Sequence, residues 1–402
     1  MKFSSKIEKC ELSPIRKFSS LVEDAKKRGL RVFPLNIGQP DVETPKLYFD
    51  ALRRFDEKVL AYAPSEGIYT LTDAVRSYYD KLGVSLDRED ILITSGGSEA
   101  FQIVLTCILD DGDEILIPEP FYTNYAAPVK LCGASVCPLP TSPDDGYFYA
   151  DRERIEKYIH ENTRAIFVTS PGNPTGNVLS KDELRLLLDI AKEHDLFFIC
   201  DEVYREFSYA DDSLLSSLQF EGYEENVVVI DSVSKRFSAC GARIGQIISK
   251  NRELMHQALK CCQCRLSVST VDQLAAAALY SLPDNYFAPV KAEYRKRRDT
   301  MLKKLAEIPG AFCSQPEGAF YLMVKLPVDD AEKLQRFLLE KFDDNGDTVL
   351  FTYGKAFYAT EGKGKSEARL AYTICCDDIE RAMEVLKKGI EMYNRQMNIS
   401  GN

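Results

Sequence analysis

Tryptophan is absent from this chain of 402 residues, histidine occurs three times, and no apolar run approaches the ~20 residues that a membrane-spanning helix needs. An excess of basic residues is missing as well. Lys and Arg total 51 against 62 Asp and Glu, a net charge of -11, which argues against a nucleic-acid or anionic-membrane surface because both need a dense basic patch. Neither nucleic acid nor membrane is therefore expected as a partner, and a small-molecule enzyme fits better. Repeats and low-complexity tracts are lacking, and the first residues, MKFSSKIEKCELSP, have no apolar segment of a secretory signal. The twelve cysteines then read as reduced thiols of a cytoplasmic protein, in a chain long enough to build its core without disulfide staples. Cys261, Cys262 and Cys264 have no matching pair at zinc-site spacing and read as packing residues of a helix-like stretch from Arg252 to Leu266. His160, His194 and His256 stand in polar, helix-like contexts and are given no ligand role, so no metal is expected.

What is present is an ordinary globular composition, 45% hydrophobic and 28% charged, over a length that suggests two or three domains. From about residue 90, short apolar runs alternate with helical patterns: ILIT (91–94), EILIP (114–118), AIFVTS (165–170), LFFICDEVY (196–204), VVVID (227–231) and RIGQIIS (243–249). Buried strands separated by helix-length segments predict βαβ units and a mostly parallel sheet, an α/β fold. Ser180 with Glu183 forms a capping box at the head of a helix, and Ser98 begins another directly after Gly96 and Gly97. From about Pro289 the texture changes to a charged helix, strand-like AFYLMVKL (319–326) and ARLAYT (368–373), and a final amphipathic helix DDIERAMEVLKKGIEMY. The expectation is a large domain over residues 46–288 and a smaller α+β domain made from both termini, residues 1–45 and 289–402.

Lys235 is the residue around which the chemistry is built. It follows the apolar strand VVVI, in DSVSKRFSACGARIG, and residues just past the carboxyl end of such a strand face the usual ligand crevice of an open α/β sheet. A lysine there can act as a Schiff-base nucleophile, and Ser232 and Arg243 around it suit a phosphate-bearing cofactor. In SPGNPTG (170–176), two prolines rigidify the turn that displays Asn173; the alternative is a loop built merely to turn. Asp201, at the end of the strand LFFIC, is costly there unless it meets a cation, a donor or solvent, so it is either the partner of a protonated ring nitrogen or the cap of the next turn. Tyr204 follows with a phenol to offer. Gly96, Gly97 and Ser98 form a glycine turn entering a helix, a start that offers backbone N–H groups to an anion. Alone that signal is weak; with Ser232 and Arg243 it becomes a phosphate cradle drawn from separate βα turns.

These segments, in collinear order with NIGQPDVETP, YAPSEGIYTL, PEPFYTNY, PEGAFY and ARLAYT, resemble the class I aminotransferases, pyridoxal-phosphate enzymes of fold type I, and among them the bacterial aspartate aminotransferase-like sequences. SPGNPTG together with SVSKRFSACGARIG carries most of the specificity. The resemblance implies that Lys235 is the cofactor-bound catalytic lysine, Asp201 pairs with the pyridine nitrogen, Asn173 and Tyr204 contact the ring oxygen, and Tyr122 stacks on the ring face. It further implies that Gly96, Gly97, Ser98, Ser232 and Arg243 hold the phosphate, while Tyr62 reaches the phosphate of a neighbouring subunit in a homodimer. Arg369 would grip the substrate α-carboxylate, assisted by Asn173 and the backbone at Gly38.

Two departures stand out. The ring-stacking position often holds Trp in relatives; here Phe121 or Tyr122 fills it, and Tyr122 is preferred from its spacing to Tyr125. Ala242 replaces a bulky aromatic before the phosphate arginine. Taken without the family, Tyr62 reads first as a loop packing residue and Arg369 as a solvated charge on a strand edge. The expected activity is ping-pong transamination between an L-amino acid, aspartate first, and a 2-oxo acid such as 2-oxoglutarate, with small-molecule amino and oxo acids as partners. Alanine or aromatic donors are the runners-up. A C–S β-lyase of the same fold is a rival reaction, and a non-catalytic cofactor-binding regulator is the rival from another class.

Overall fold

The computed structural model describes residues 1–209 and 215–398. Twelve strands are present among them: β1 (Arg31–Pro34), β2 (Ile91–Thr94), β3 (Glu114–Pro118), β4 (Ser135–Leu139), β5 (Thr163–Thr169), β6 (Phe197–Asp201), β7 (Val227–Ser232), β8 (Gly245–Ile248), β9 (Tyr321–Lys325), β10 (Asp347–Leu350), β11 (Thr352–Tyr353) and β12 (Glu367–Ala371). Seven of them form the central sheet, in the order β2-β8-β7-β6-β5-β3-β4. The run β7-β6-β5-β3-β4 is parallel throughout. The central stretches of β3, β5, β6 and β7 are apolar because both faces are covered: Leu116, Ile166, Phe198 and Val229 enter one core, and Ile115, Phe167, Ile199 and Ile230 the other.

Three features depart from the sequence expectation. RIGQIIS forms β8 only over Gly245–Ile248, and it runs antiparallel to both β7 and β2. After β7 the chain makes one short helix, Val233–Arg236, and a turn before returning, so no crossover helix is available to restore a parallel direction. The strand β4 (SVCPL) was not anticipated. It contains Pro138, which the sheet tolerates because β4 is an edge strand bonded only to β3. His160, expected in a helix, lies in the turn between the helix Arg152–Glu156 and β5.

The helix expected to begin at Ser98 spans Gly97–Ile108, with Gly96 at its cap in a left-handed conformation (φ 81°) that favours glycine. The capping box of Ser180 and Glu183 is formed at the helix Lys181–Glu193. Cys262 is buried in the helix Arg252–Cys264, Cys264 is exposed, and all twelve cysteines are unbridged.

A second core gathers the antiparallel sheet β11-β12-β9, the parallel pair β1-β10, and the helices Phe287–Leu305 and Cys376–Met397. The amino-terminal β1 pairs with β10, Val32 opposite Thr348 and Phe33 opposite Val349, so both chain termini build this unit. Val203, Tyr204 and Phe207, which follow β6, pack into the same cluster as Phe320 and Tyr321. The two cores therefore meet at the carboxyl end of β6. Among the described residues no helix is long and apolar enough to cross a membrane.

Candidate active site

Parallel strands deliver their carboxyl ends to one edge of the sheet, and that edge carries the chemistry-bearing residues. Asp201 closes β6 and is buried. Burial pushes its carboxyl up to about 6, opposed by the hydroxyl of Tyr125, which donates to Oδ2 at 2.8 Å, and the N–H of Val203, which donates to Oδ1 at 3.2 Å. The turn-capping reading of Asp201 is thus fulfilled by one oxygen while the other faces Tyr125. Tyr125 also lies 3.1 Å from the hydroxyl of Thr169, at the end of β5, so adjacent strand ends fix the orientation of the acid.

Lys235 leaves the short helix after β7 and donates from Nζ to the carbonyl of Gly38 at 2.8 Å. No carboxylate among the described residues forms an ion pair with it. Gly38 is obligatory here, since a Cβ on it would lie 1.6 Å from the Tyr321 hydroxyl. That hydroxyl is 2.9 Å from the hydroxyl of Tyr204, which in turn accepts from Asn173 Nδ2 at 3.4 Å. Burial raises the Tyr204 phenol well above its ordinary value, so it stays protonated at neutral pH.

Arg369 is only 1% exposed. It stands in β12, the middle strand of its sheet, which excludes the solvated strand-edge reading. Nη1 donates to Asn173 Oδ1 at 2.9 Å and Nη2 to the carbonyl of Asn36 at 2.5 Å, while Nε has no partner. Its guanidinium lies over the rings of Tyr321 at 4.5 Å and Phe357 at 5.1 Å. Among the described residues no carboxylate pairs with it. A buried cation held by neutral acceptors and ring faces is a cation prepared for an external anion.

A separate cradle forms where Thr94, Gly245 and Ser232 stand in register across β2, β8 and β7. Gly96 and Gly97 turn the chain from β2 into the following helix, and Ser98 presents an exposed hydroxyl in its first turn. Arg243, in a left-handed conformation, reaches back to the Ser95 carbonyl at 3.2 Å. A Cβ on Gly96 would sit 2.5 Å from Arg243 Nη2, and one on Gly245 would sit 2.5 Å from the Gly96 backbone. Guanidinium, hydroxyl and helix-start N–H groups together can hold a phosphate dianion.

Of the anticipated residues, Tyr62 alone is left outside this assembly within the chain: it is 81% exposed, which also excludes a packing role in its loop. Phe121 is buried in the sheet core, whereas the environment of Tyr122 includes Lys235, Arg369 and Asp201, and burial raises its phenol. Ala242 packs into the core. Sequence reading passed over Tyr125 as a contact of Asp201 and Tyr321 as the link between Tyr204 and Gly38. Both sit inside quoted motifs, PEPFYTNY and PEGAFY, and a phenol beside a motif residue was the available signal.

The sequence matches the family described as aminotransferase class I and II over residues 31–386. An aspartate aminotransferase of Pyrococcus horikoshii is 30% identical over 381 residues, covering 93% of this chain and 94% of that protein. An aromatic-amino-acid aminotransferase of Thermococcus litoralis is 29% identical over 397 residues, covering 96% and 98%. The solved structure of aspartate aminotransferase from Thermus thermophilus with maleate superposes with a TM-score of 0.88 at 26% identity, covering 97% of this chain and all of that one.

Proposed function

This chain belongs to the aminotransferase class I and II family, and from that membership we propose how its own residues divide the work of amino transfer. It is a pyridoxal-phosphate-dependent transaminase of fold type I, acting on small-molecule amino and 2-oxo acids. The residues present fit that cofactor. A buried carboxyl pushed up to about 6 suits a protonated pyridine nitrogen, the glycine cradle around Arg243 suits a phosphate, and buried Arg369, held by neutral acceptors with no carboxylate partner among the described residues, suits a carboxylate.

In the proposed arrangement Lys235 is the point of covalent attachment, Asp201 faces the pyridine nitrogen, and Asn173 and Tyr204 serve the ring oxygen. Tyr122 covers the ring face, and its charged neighbours support that choice over Phe121, which the core absorbs. Gly96, Gly97, Ser98, Ser232 and Arg243 receive the phosphate. Pyridoxal phosphate supplies the electron sink for charge released at the substrate Cα. Arg369 binds the α-carboxylate, with Asn173 and the Gly38 backbone beside it, and so fixes which Cα–H bond faces Lys235. The Lys235 amine takes that proton as general base and returns it as general acid. With one water consumed and the amino group left on the cofactor, a 2-oxo acid would leave; a second 2-oxo acid would bind through the same arginine and take up that amino group, releasing the water, as the same residues act in reverse. Ping-pong kinetics follow.

The observation that carries this reading is the burial of Arg369 without any carboxylate partner among the described residues. Aspartate with 2-oxoglutarate is the first substrate pair we propose, supported by the aspartate aminotransferases among the relatives. Alanine and aromatic amino acids are its competitors as donors. We further propose a homodimer in which Tyr62 completes the neighbouring site; Val59, Leu60 and Tyr62 form an exposed apolar stretch that a second copy would cover. The domain boundaries proposed are 46–288 for the large domain and 1–45 with 289–402 for the small one, supported by the β1-β10 pairing. The twelve unbridged thiols support a cytoplasmic location.

A panel of amino donors against 2-oxoglutarate, following cofactor absorbance in each half-reaction, tests the substrate. Aspartate is expected to react fastest, and equal rates for apolar and acidic donors would reject that specificity. Release of pyruvate and ammonia from cystathionine without any oxo-acid acceptor would instead favour the C–S lyase reading.

A further inference from the structure

We propose that Glu114, Cys137 and His160 form a binding site for one divalent cation of the zinc class, at the amino ends of the sheet strands and apart from the active site. The strand register creates it. Glu114 opens β3, opposite Ser135 of β4, and Leu116 lies opposite Cys137. Residues two apart on a strand share a face, so Glu114 projects with Leu116, and Cys137 packs into the same core as Leu116. The turn before β5 brings in the third group. Its shape is fixed by reciprocal bonds, the His160 N–H to Thr163 Oγ1 at 2.8 Å and the Thr163 N–H to the His160 carbonyl at 3.1 Å.

The bonds at this corner hold two of the three donors together, while the third, the Cys137 thiol, donates to the Tyr158 carbonyl at 3.5 Å and would release that bond to take a cation. Thr163 Oγ1 donates to Glu114 Oε1 at 2.7 Å, and His160 Nδ1 stands 2.5 Å from the same oxygen. The sulfur, the imidazole nitrogen and the carboxylate oxygen all lie within 4.8 Å of one another. Among the described residues no other group of three such donors has this closeness. Thiolate, imidazole and carboxylate form a mixed set that suits zinc better than magnesium or calcium, which prefer oxygen alone. Zinc bonds of about 2.0–2.3 Å place tetrahedral ligands a little over 3 Å apart. His160 Nδ1 and Glu114 Oε1, at 2.5 Å, stand closer than that spacing, so binding requires the half-exposed His160 side chain to turn away from Glu114, and a fourth position would be left for water. Coordination replaces the thiol proton of Cys137 with the metal and releases that proton to solvent.

The site is remote from the transamination chemistry. Thr163, beside Glu114, and Thr169, beside Tyr125, are the two ends of β5, separated by about 20 Å at the usual rise per strand residue. A cation here would tie the edge strand β4 and the turn before β5 to β3.

Zinc titration of the chelator-treated, dialysed holoenzyme by calorimetry, with melting temperature as a second readout, tests the proposal. The wild-type protein is expected to bind one zinc at this position and to melt higher with zinc. His160→Ala, a half-exposed position whose loss leaves the fold intact, should weaken that binding at least about tenfold and abolish the rise. Cys137→Ser should do the same, and Cys376→Ser should do neither. Absence of stoichiometric zinc binding by the wild-type protein would overturn the site, and so would a zinc equivalent and a melting shift that survive in His160→Ala.

Discussion

Two arginines of this chain are equally hidden from solvent and are held in opposite ways. Arg236 is enclosed beneath the site, 2.6 Å from the carboxylate of Asp231, which is itself fully buried, with Glu206 at 3.6 Å and the ring of Tyr78 beneath its guanidinium. The neighbouring pair of Arg205 and Glu202 completes a network in which each buried cation has its own anion. Arg369 has only neutral acceptors and ring faces, and no carboxylate among the described residues pairs with it; an unpartnered nitrogen does not set it apart, since Nε of Arg236 and Nε and Nη1 of Arg205 lack hydrogen-bond partners too. Burial alone therefore does not separate a structural charge from a binding one; the presence or absence of an internal counter-charge does.

The largest effect that sharpens this contrast concerns the neighbour of Arg236 in sequence. Lys235→Ala should lower the steady-state transamination rate by about 10⁴-fold or more, because it removes the amine proposed to carry the proton, and should leave the melting temperature within a few degrees. Full activity in that variant would refute the assignment. Arg236→Met, one position on, should behave inversely. Stranding the buried Asp231 carboxylate should cost about 3–5 kcal/mol in denaturant unfolding, with activity per folded molecule reduced far less than in Lys235→Ala. An unchanged unfolding midpoint would remove Arg236 from the structural class.

Asp201 gives a subtler comparison, because its surroundings hold it away from its own preferred charge. Its carboxyl is raised to about 6, so without the cofactor the native state keeps that proton up to about pH 6, where the unfolded chain would already have lost it. Ionising Asp201 therefore costs stability as pH rises through about 6, and that cost is relieved as pH falls towards the ordinary carboxyl range. On the proposed pairing of Asp201 with a protonated pyridine nitrogen, cofactor binding has the opposite dependence, since that pairing needs the carboxylate. The dissociation constant of pyridoxal phosphate should rise as pH drops below about 6. Tyr125→Phe removes a donor that favours the carboxylate, and it should move this acidic limb upward by about one pH unit. Equilibrium dialysis of the cofactor across pH reads the shift; an unmoved limb would show that Tyr125 does not tune the acid.

Much of the fold and of the candidate site was legible in the sequence, for physical reasons that differ from residue to residue, although the contrast between the two arginines was not. The strands β2, β3, β5, β6 and β7 announce themselves because a strand covered on both faces is continuously apolar. β4 does not, because Pro138 interrupts the pattern and only an edge position makes that acceptable. The direction of β8 leaves no trace in composition, since it depends on the length of the connection after Lys235. Lys235, Asp201 and Asn173 could be found because each follows a recognisable strand at its carboxyl end. Tyr125 and Tyr321 were passed over because a buried tyrosine in a core and one holding a site residue read alike. The burial of Arg369 was equally hidden: a lone charge in ARLAYT fits a solvated edge as well as a central strand. His160 was misplaced because a polar turn after a short helix resembles the helix itself.

The most direct test of the account compares Arg369→Lys with the wild-type protein in one experiment, measuring single-turnover kcat/KM for L-aspartate alongside the thermal midpoint. The account predicts that kcat/KM falls about 100-fold or more, the loss expected when a bidentate carboxylate contact is replaced by a point charge, while the thermal midpoint stays within a few degrees. A variant that keeps its kcat/KM, or one that loses activity only because its thermal midpoint collapses as expected for Arg236→Met, would contradict it.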